Sequence, residues 1–220
     1  MQVEVFFDPV FHIVITDLFD NETNRKILDE TLLLKHKFEE AEIGTVENQN
    51  KVNKDIRNNL VAYYDVLFQN NREESILLRS LNKLFIDGVF STLINTSQYP
   101  LSDFRLTNYH ETQVSRYGNT GDKYDWHNDQ IHSNESRKIT MVYYFNTEPK
   151  KYSGGELQLT NSPIFENNIL DKNTSIKTIE PKNNMLVIFA SNITHRVMPL
   201  KSTNDFKDGR FSVNCWVGKR

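Results

Sequence analysis

His127-Asn128-Asp129 sets an imidazole and a carboxylate two positions apart. On an extended strand, residues i and i+2 project to the same face, so both groups can converge on one point. Two ligands do not complete a metal site, and His195, in the run Thr194-His195-Arg196-Val197, is the best third candidate. Two imidazoles and one carboxylate on one octahedral face leave three positions open, a donor set suited to Fe(II) and to O₂ chemistry. The triplet alone is a weak signal. With six histidines in 220 residues, a His two positions before an Asp arises readily by chance, and a surface His near a surface Asp is its ordinary explanation.

The case rests on what surrounds it. Arg210 follows His195 by fifteen residues and opens the last predicted strand. Alternation puts Arg210, Ser212, Asn214 and Trp216 on one face and Phe211, Val213, Cys215 and Val217 on the other. An arginine facing the inside of an otherwise apolar barrel needs an anion, since guanidinium stays charged and pairs carboxylates bidentately. The distal carboxylate of a keto-acid cosubstrate, chelating the metal at its other end, would supply one. Thr140, Val142 and Tyr144 share a face of another predicted strand, which puts a phenol within reach of that carboxylate. An exposed salt bridge at a loop end would explain an isolated Arg210, but not one accompanied by these elements. Cys215 points away from the pocket as a buried thiol. Gly154-Gly155 acts through backbone conformation, with no phosphate-binding frame around it. His12, His36, His110 and His132 have no partner pattern and are structural or solvated.

The positioning elements point to an α+β chain, a double-stranded β-helix (jelly-roll) barrel with N-terminal supporting helices. It is read as one domain over 1–220, mainly helical over 1–102 with the barrel core over 103–220. Residues 11–17 form a strand, and Asp20 and Asn21 start a helix carrying Ile27, Thr31, Leu34 and Phe38. Further helices are predicted from Ile56, Leu60, Tyr63 and Leu67, and from Leu77, Leu81 and Leu84. The polar stretch 41–55 is a loop, either a solvated linker or a substrate lid. Strands are predicted within 103–117, 139–145, 156–160, 174–180, 184–189, 195–200 and 211–217.

Charge is nearly balanced, 26 basic against 29 acidic residues, without the basic footprint of a dedicated nucleic-acid binder. One cysteine excludes an intrachain disulfide, and no long apolar run or signal-like N-terminus occurs, so a cytoplasmic, non-membrane location is expected.

Six stretches in order carry a resemblance: Y-G-N-T-G-D-K-Y-D-W-H-N-D (117–129), R-K-I-T-M-V-Y-Y-F-N (137–146), S-G-G-E-L (153–157), I-E-P-K (179–182), H-R-V-M-P (195–199) and R-F-S-V-N-C-W (210–216). Together they resemble the prolyl 4-hydroxylase group of 2-oxoglutarate/Fe(II) dioxygenases, and within it the hypoxia-factor prolyl hydroxylases. The resemblance implies that His127, Asp129 and His195 bind Fe(II). It implies that Arg210 and Tyr144 hold the distal carboxylate of 2-oxoglutarate, Tyr117 and Thr140 line that pocket, and Trp216 lies near metal and cosubstrate. Tyr124 falls on the substrate side. O₂ would be the oxidant, succinate and CO₂ co-products, and ascorbate a supporting reductant. The loop 201–209 is longer than the family's, which leaves its local geometry open.

Asp129 favours hydroxylation, because halogenating relatives lack this carboxylate. A protein or peptide substrate, a peptidyl proline first, is implied, with a free amino acid or other small molecule as the rival. Nucleic-acid demethylation is disfavoured: those relatives carry a second arginine six residues beyond the first, where this chain has Trp216. A non-catalytic β-barrel binding module is the reading of another class, opposed by the intact triad and Arg210.

Overall fold

The computed structural model describes residues 1–44, 51–86, 109–130, 136–163 and 174–218. The chain opens with an antiparallel hairpin, β1 (Gln2–Phe6) and β2 (His12–Thr16). It enters α1 (Asn21–Leu33) through Asp20, whose carboxylate accepts the Thr23 N–H at 2.8 Å and caps the first turn. Short strands follow: β3 (Glu39–Glu40), β4 (Glu42–Ile43), β5 (Lys51–Val52), β6 (Arg57–Asn58) and β7 (Leu60–Tyr63). Helices α2 (Tyr64–Leu67) and α3 (Ile76–Ile86) come next. The second half runs β8 (Tyr109–Tyr117), β9 (Lys123–His127), β10 (Arg137–Phe145), β11 (Ser153–Gly154) and β12 (Leu157–Thr160). It finishes with β13 (Lys177–Ile179), β14 (Met185–Ala190), β15 (Thr194–Val197), β16 (Leu200–Lys201) and β17 (Arg210–Gly218).

Two sheets build the barrel. The larger runs β1-β2-β14-β10-β17-β8-β7-β3, the smaller β13-β12-β15-β9-β6. Strict alternation gives the larger sheet two different faces. Ile139, Met141, Tyr143 and Phe145 of β10 and Phe211, Val213, Cys215 and Val217 of β17 join the helices in one apolar cluster with Ile27, Leu77 and Leu81. Burying each large side chain of this kind stabilises the fold by about 1.5–3 kcal/mol. The opposite face meets the smaller sheet. There Val142, Tyr144, Val187 and Phe189 pack against Leu157, Leu159 and Ile179. The helical layer is pinned by Glu30 of α1, which accepts from Ser75 Oγ and from the N–H groups of Ile76 and Leu77, otherwise unpaired donors at the start of α3.

This architecture is the expected double-stranded β-helix, with several local differences. The helix expected across Ile56–Leu67 is absent: Arg57–Asn58 and Leu60–Tyr63 are strands and only Tyr64–Leu67 is helical. Their apolar spacing fits a helix, but pairing of β7 with β8 and β6 with β9 overrides that local period. The described residues up to 86 carry strands that join both sheets beside the helices. The first helix ends at Leu33, so Leu34 and Phe38 lie beyond it. Within 41–55, β4 and β5 pair as a small ribbon, while 45–50 lie outside the described residues, as do 103–108 of the first core strand and His132. Among the described residues no helix is long and apolar enough to cross a membrane.

Candidate metal centre

His127 and His195 face each other as register partners on β9 and β15, and their ring centroids are 4.1 Å apart. Each Nδ1–H donates to a carbonyl two residues earlier, His127 to Asp125 at 2.8 Å and His195 to Ile193 at 2.9 Å. That fixes both tautomers and turns the two Nε2 atoms toward Asp129. Asp129 Oδ1 lies 3.9 Å from His127 Nε2, and Oδ2 lies 3.5 Å from His195 Nε2. One donor atom from each of the three residues fits within 4.8 Å of the others.

The convergence is reached differently from the strand geometry first expected. β9 stops at His127, so Asp129 sits in the following turn rather than on the strand. The turn is held by Ser191, whose carbonyl accepts the N–H groups of Asp129 (2.9 Å) and Gln130 (3.1 Å). Thr140 Oγ1 donates to Asp129 Oδ2 at 2.7 Å and also lies 3.0 Å from Ser191 Oγ. Thr140 is thus seated against the metal triad while also lining the cavity that holds Arg210 and Tyr144. Burial pushes the Asp129 carboxyl up, but the His195 and His127 imidazoles, the Trp216 indole and the Thr140 hydroxyl outweigh it and hold it below the usual value. The indole N–H faces this side without completing a hydrogen bond. Burial, aided by His195, pushes His127 well below the ordinary imidazole value and leaves its ring neutral.

Beside the triad lies a cavity of about 480 Å³ between the two sheets. Arg210 lines it at 1% exposure, its guanidinium carbon 4.9 Å from the Tyr117 ring centre and 4.7 Å from that of Tyr144. Among the described residues its one hydrogen bond is a long one from Nη1 to Ser212 Oγ, 3.5 Å, and no carboxylate pairs with it. Arg210 Nε and Tyr144 Oη are both buried without partners. Burial pushes the Tyr144 phenol up to about 12, so it remains a donor. Gly155, at φ +72°, leaves room for this arginine: a Cβ there would stand 2.9 Å from Arg210 Cδ. Beyond the loop 201–209, Arg210 stands in register opposite Tyr117.

The mouth carries more. Tyr124 stacks on His127 at 3.5 Å, and Arg137 lies over Trp216 at 3.8 Å while pairing with Glu111. Arg57, Glu42, Gly44 and Asp65 complete this side. Ser191 and Arg57 went unnoticed in the sequence. Ser191 acts through its backbone, which no residue type advertises, and Arg57 sat in a segment that read as helical.

The chain matches the model of the 2OG-Fe(II) oxygenase superfamily over residues 112–218. It is 30% identical, over its whole length and 67% of the relative's, to an uncharacterized PKHD-type hydroxylase of Synechocystis. Its fold is similar to a Trichoplax adhaerens prolyl hydroxylase solved with a hypoxia-inducible-factor peptide, at TM-score 0.65 and 20% identity over 94% of this chain and 83% of that one. A Pseudomonas putida prolyl-4-hydroxylase gives TM-score 0.63 and 17% identity over 95% of this chain and 92% of that one. With a relative matched along the whole of this chain, a matching family model and a shared barrel, the chain belongs to the 2OG-Fe(II) oxygenase superfamily and is an oxygenase.

Proposed function

We propose that this oxygenase hydroxylates a substrate C–H bond, with a peptidyl proline as first candidate, using Fe(II) at His127, Asp129 and His195 and 2-oxoglutarate at Arg210. The observation that carries the reading is Arg210: a guanidinium buried with no carboxylate partner among the described residues, in the cavity that also holds the triad. A buried charge left uncompensated costs several kcal/mol, so a cavity built around one is shaped for an anion. The donor set of two imidazoles and one carboxylate suits Fe(II), and the unpartnered Arg210 Nε and Tyr144 Oη suit a distal carboxylate.

Bound iron with 2-oxoglutarate supplies O₂ activation coupled to decarboxylation, giving succinate and CO₂. The chain's own residues position and insulate that chemistry. Asp125 and Ile193 carbonyls aim the imidazoles, Thr140 and Ser191 hold the carboxylate, and Arg210 with Tyr144 orients the cosubstrate. Tyr117 walls the pocket, Trp216 lies beside the metal-holding Asp129, and Tyr124 faces the substrate. A peptide substrate is supported by the likeness to a hydroxylase solved with its peptide.

The test is succinate formation from 2-oxoglutarate with Fe(II) and ascorbate in air, paired with 2-oxoglutarate binding to the Mn(II) protein. Wild type should show both; Asp129→Ala should lose turnover, and Arg210→Ala should recover it only at high cosubstrate. Neither turnover nor metal-dependent binding in wild type would leave the non-catalytic module standing.

A further inference from the structure

We propose that Arg57 is a second anion anchor in this cavity and takes a carboxylate carried by the substrate, an assignment that rests on the cavity being the oxygenase site. Arg57 lies on β6, in register with Tyr124 of β9, and is 9% exposed. Its Nε donates to Asn59 Oδ1 at 3.0 Å and its Nη1 to the Glu42 carbonyl at 3.1 Å. Both acceptors are neutral, so they fix the guanidinium without cancelling its charge. Among the described residues no carboxylate forms an ion pair with it. Arg137, which lines the same cavity, differs: it pairs with Glu111.

The guanidinium carbon stands 4.7 Å from the Tyr124 ring centre, and that ring is stacked 3.5 Å from His127. The guanidinium is therefore one aromatic ring away from a metal ligand, with the cosubstrate cation Arg210 lining the same cavity. Stacking on Tyr124 leaves the guanidinium edge open. Among the described residues, one Nη1 hydrogen and both on Nη2 remain for a side-by-side pair of hydrogen bonds. A singly charged carboxylate matches that fork. A phosphate dianion does not, because Arg137 is already paired and Glu42, Asp65 and Glu111 line the same mouth. A group held there lies a few bonds from the carbon presented to the metal, so the substrate bears its carboxylate close to the oxidised C–H.

The experiment uses the full chain loaded with Mn(II) and saturated with 2-oxoglutarate, so that Arg210 is occupied before any probe is added. Binding is read from Mn(II)-enhanced relaxation of probe protons. One pair of probes is N-acetyl-L-proline and N-acetyl-L-prolinamide, which differ in the terminal carboxylate; the other is Ac-Ala-Pro-Asp-Ala-amide and its Asn counterpart. Wild type is expected to bind the acid of at least one pair tenfold or more tightly than its neutral partner. The first pair reports a small-molecule or chain-terminal carboxylate, the second an acidic side chain beside the target. Arg57→Gln should erase the preference with 2-oxoglutarate affinity unchanged, and Arg57→Lys should keep part of it. No acid preference in either pair overturns the proposal using wild type alone, so nothing depends on a variant folding. A preference that survives in Arg57→Gln overturns it too. Failure of wild type to bind 2-oxoglutarate would instead sink the underlying oxygenase site.

Discussion

Replacing Arg210 by methionine separates a ligand-binding arginine from a structural one. In the ligand-free protein the guanidinium is fully buried between Tyr117 and Tyr144, with one 3.5 Å hydrogen bond and an unpartnered Nε. Cation–π contact with the two rings returns about 1–2 kcal/mol each, against a desolvation cost of several kcal/mol. An apolar side chain of similar length should therefore leave ligand-free stability within about 1 kcal/mol of wild type, or raise it. The ligand response should differ sharply. With Mn(II) and 2-oxoglutarate at about one hundred times its Kd, wild type gains about 2.7 kcal/mol. For a chain of this length that is a rise in Tm of about 5–10 °C. Losing one side of a buried charge pair costs about 2–5 kcal/mol, so Arg210→Met should bind the cosubstrate about 30-fold to several-thousand-fold more weakly and keep at most about 0.9 kcal/mol of the ligand stabilisation at that concentration. Thermal melts with and without ligand, backed by urea titrations, give both quantities. A variant destabilised by more than about 2 kcal/mol without ligand, yet shifted by 2-oxoglutarate as wild type is, would show that Arg210 holds the fold and not the cosubstrate.

Three further outcomes follow from the same geometry. Gly155→Ala forces a Cβ toward Arg210 Cδ at positive φ; it should cost about 1–3 kcal/mol in urea unfolding and weaken 2-oxoglutarate binding in calorimetry. Thr140→Val removes the 2.7 Å hydrogen bond to Asp129 and should weaken metal binding by about 10–100-fold in a Mn(II) titration, with the fold intact by circular dichroism. Stability should fall on acidification through the histidine range, because burial holds His12 and His110 below the ordinary imidazole value. The unfolded chain then takes up protons near pH 6.5 that the folded chain refuses. The stability is thus present above that pH and is lost below it, by up to about 1.4 kcal/mol per pH unit for each histidine. His12→Gln should flatten the dependence of the urea midpoint on pH between 7.5 and 5.

Much of the site could be read from order and alternation along the chain. The two faces of β17 followed from alternation, and Phe211, Val213, Cys215 and Val217 do enter the helical core while Arg210, Ser212, Asn214 and Trp216 line the cavity. Strand periodicity is local, and a side chain's face follows from its parity once the strand is recognised. The start of α1 at Asp20 was legible for the same reason, since a cap is a contact three residues long. The segment Ile56–Leu67 was not. Its spacing suits a helix, and only pairing with β8 and β9, fifty or more residues along the chain, makes it two strands. That error hid Arg57.

By itself the sequence determined which residue types were available and in what order: two imidazoles, a carboxylate and an arginine on strand-forming segments of a β-rich barrel. Tertiary structure decided how they meet. Asp129 comes to the triad through a turn held by the Ser191 carbonyl, and Thr140 is seated against its carboxylate. Arg210 and Arg57 lack carboxylate partners among the described residues. These are long-range facts. Hydrogen bonding to a backbone carbonyl leaves no mark in residue identity, and whether a charge is paired depends on which distant segments fold beside it.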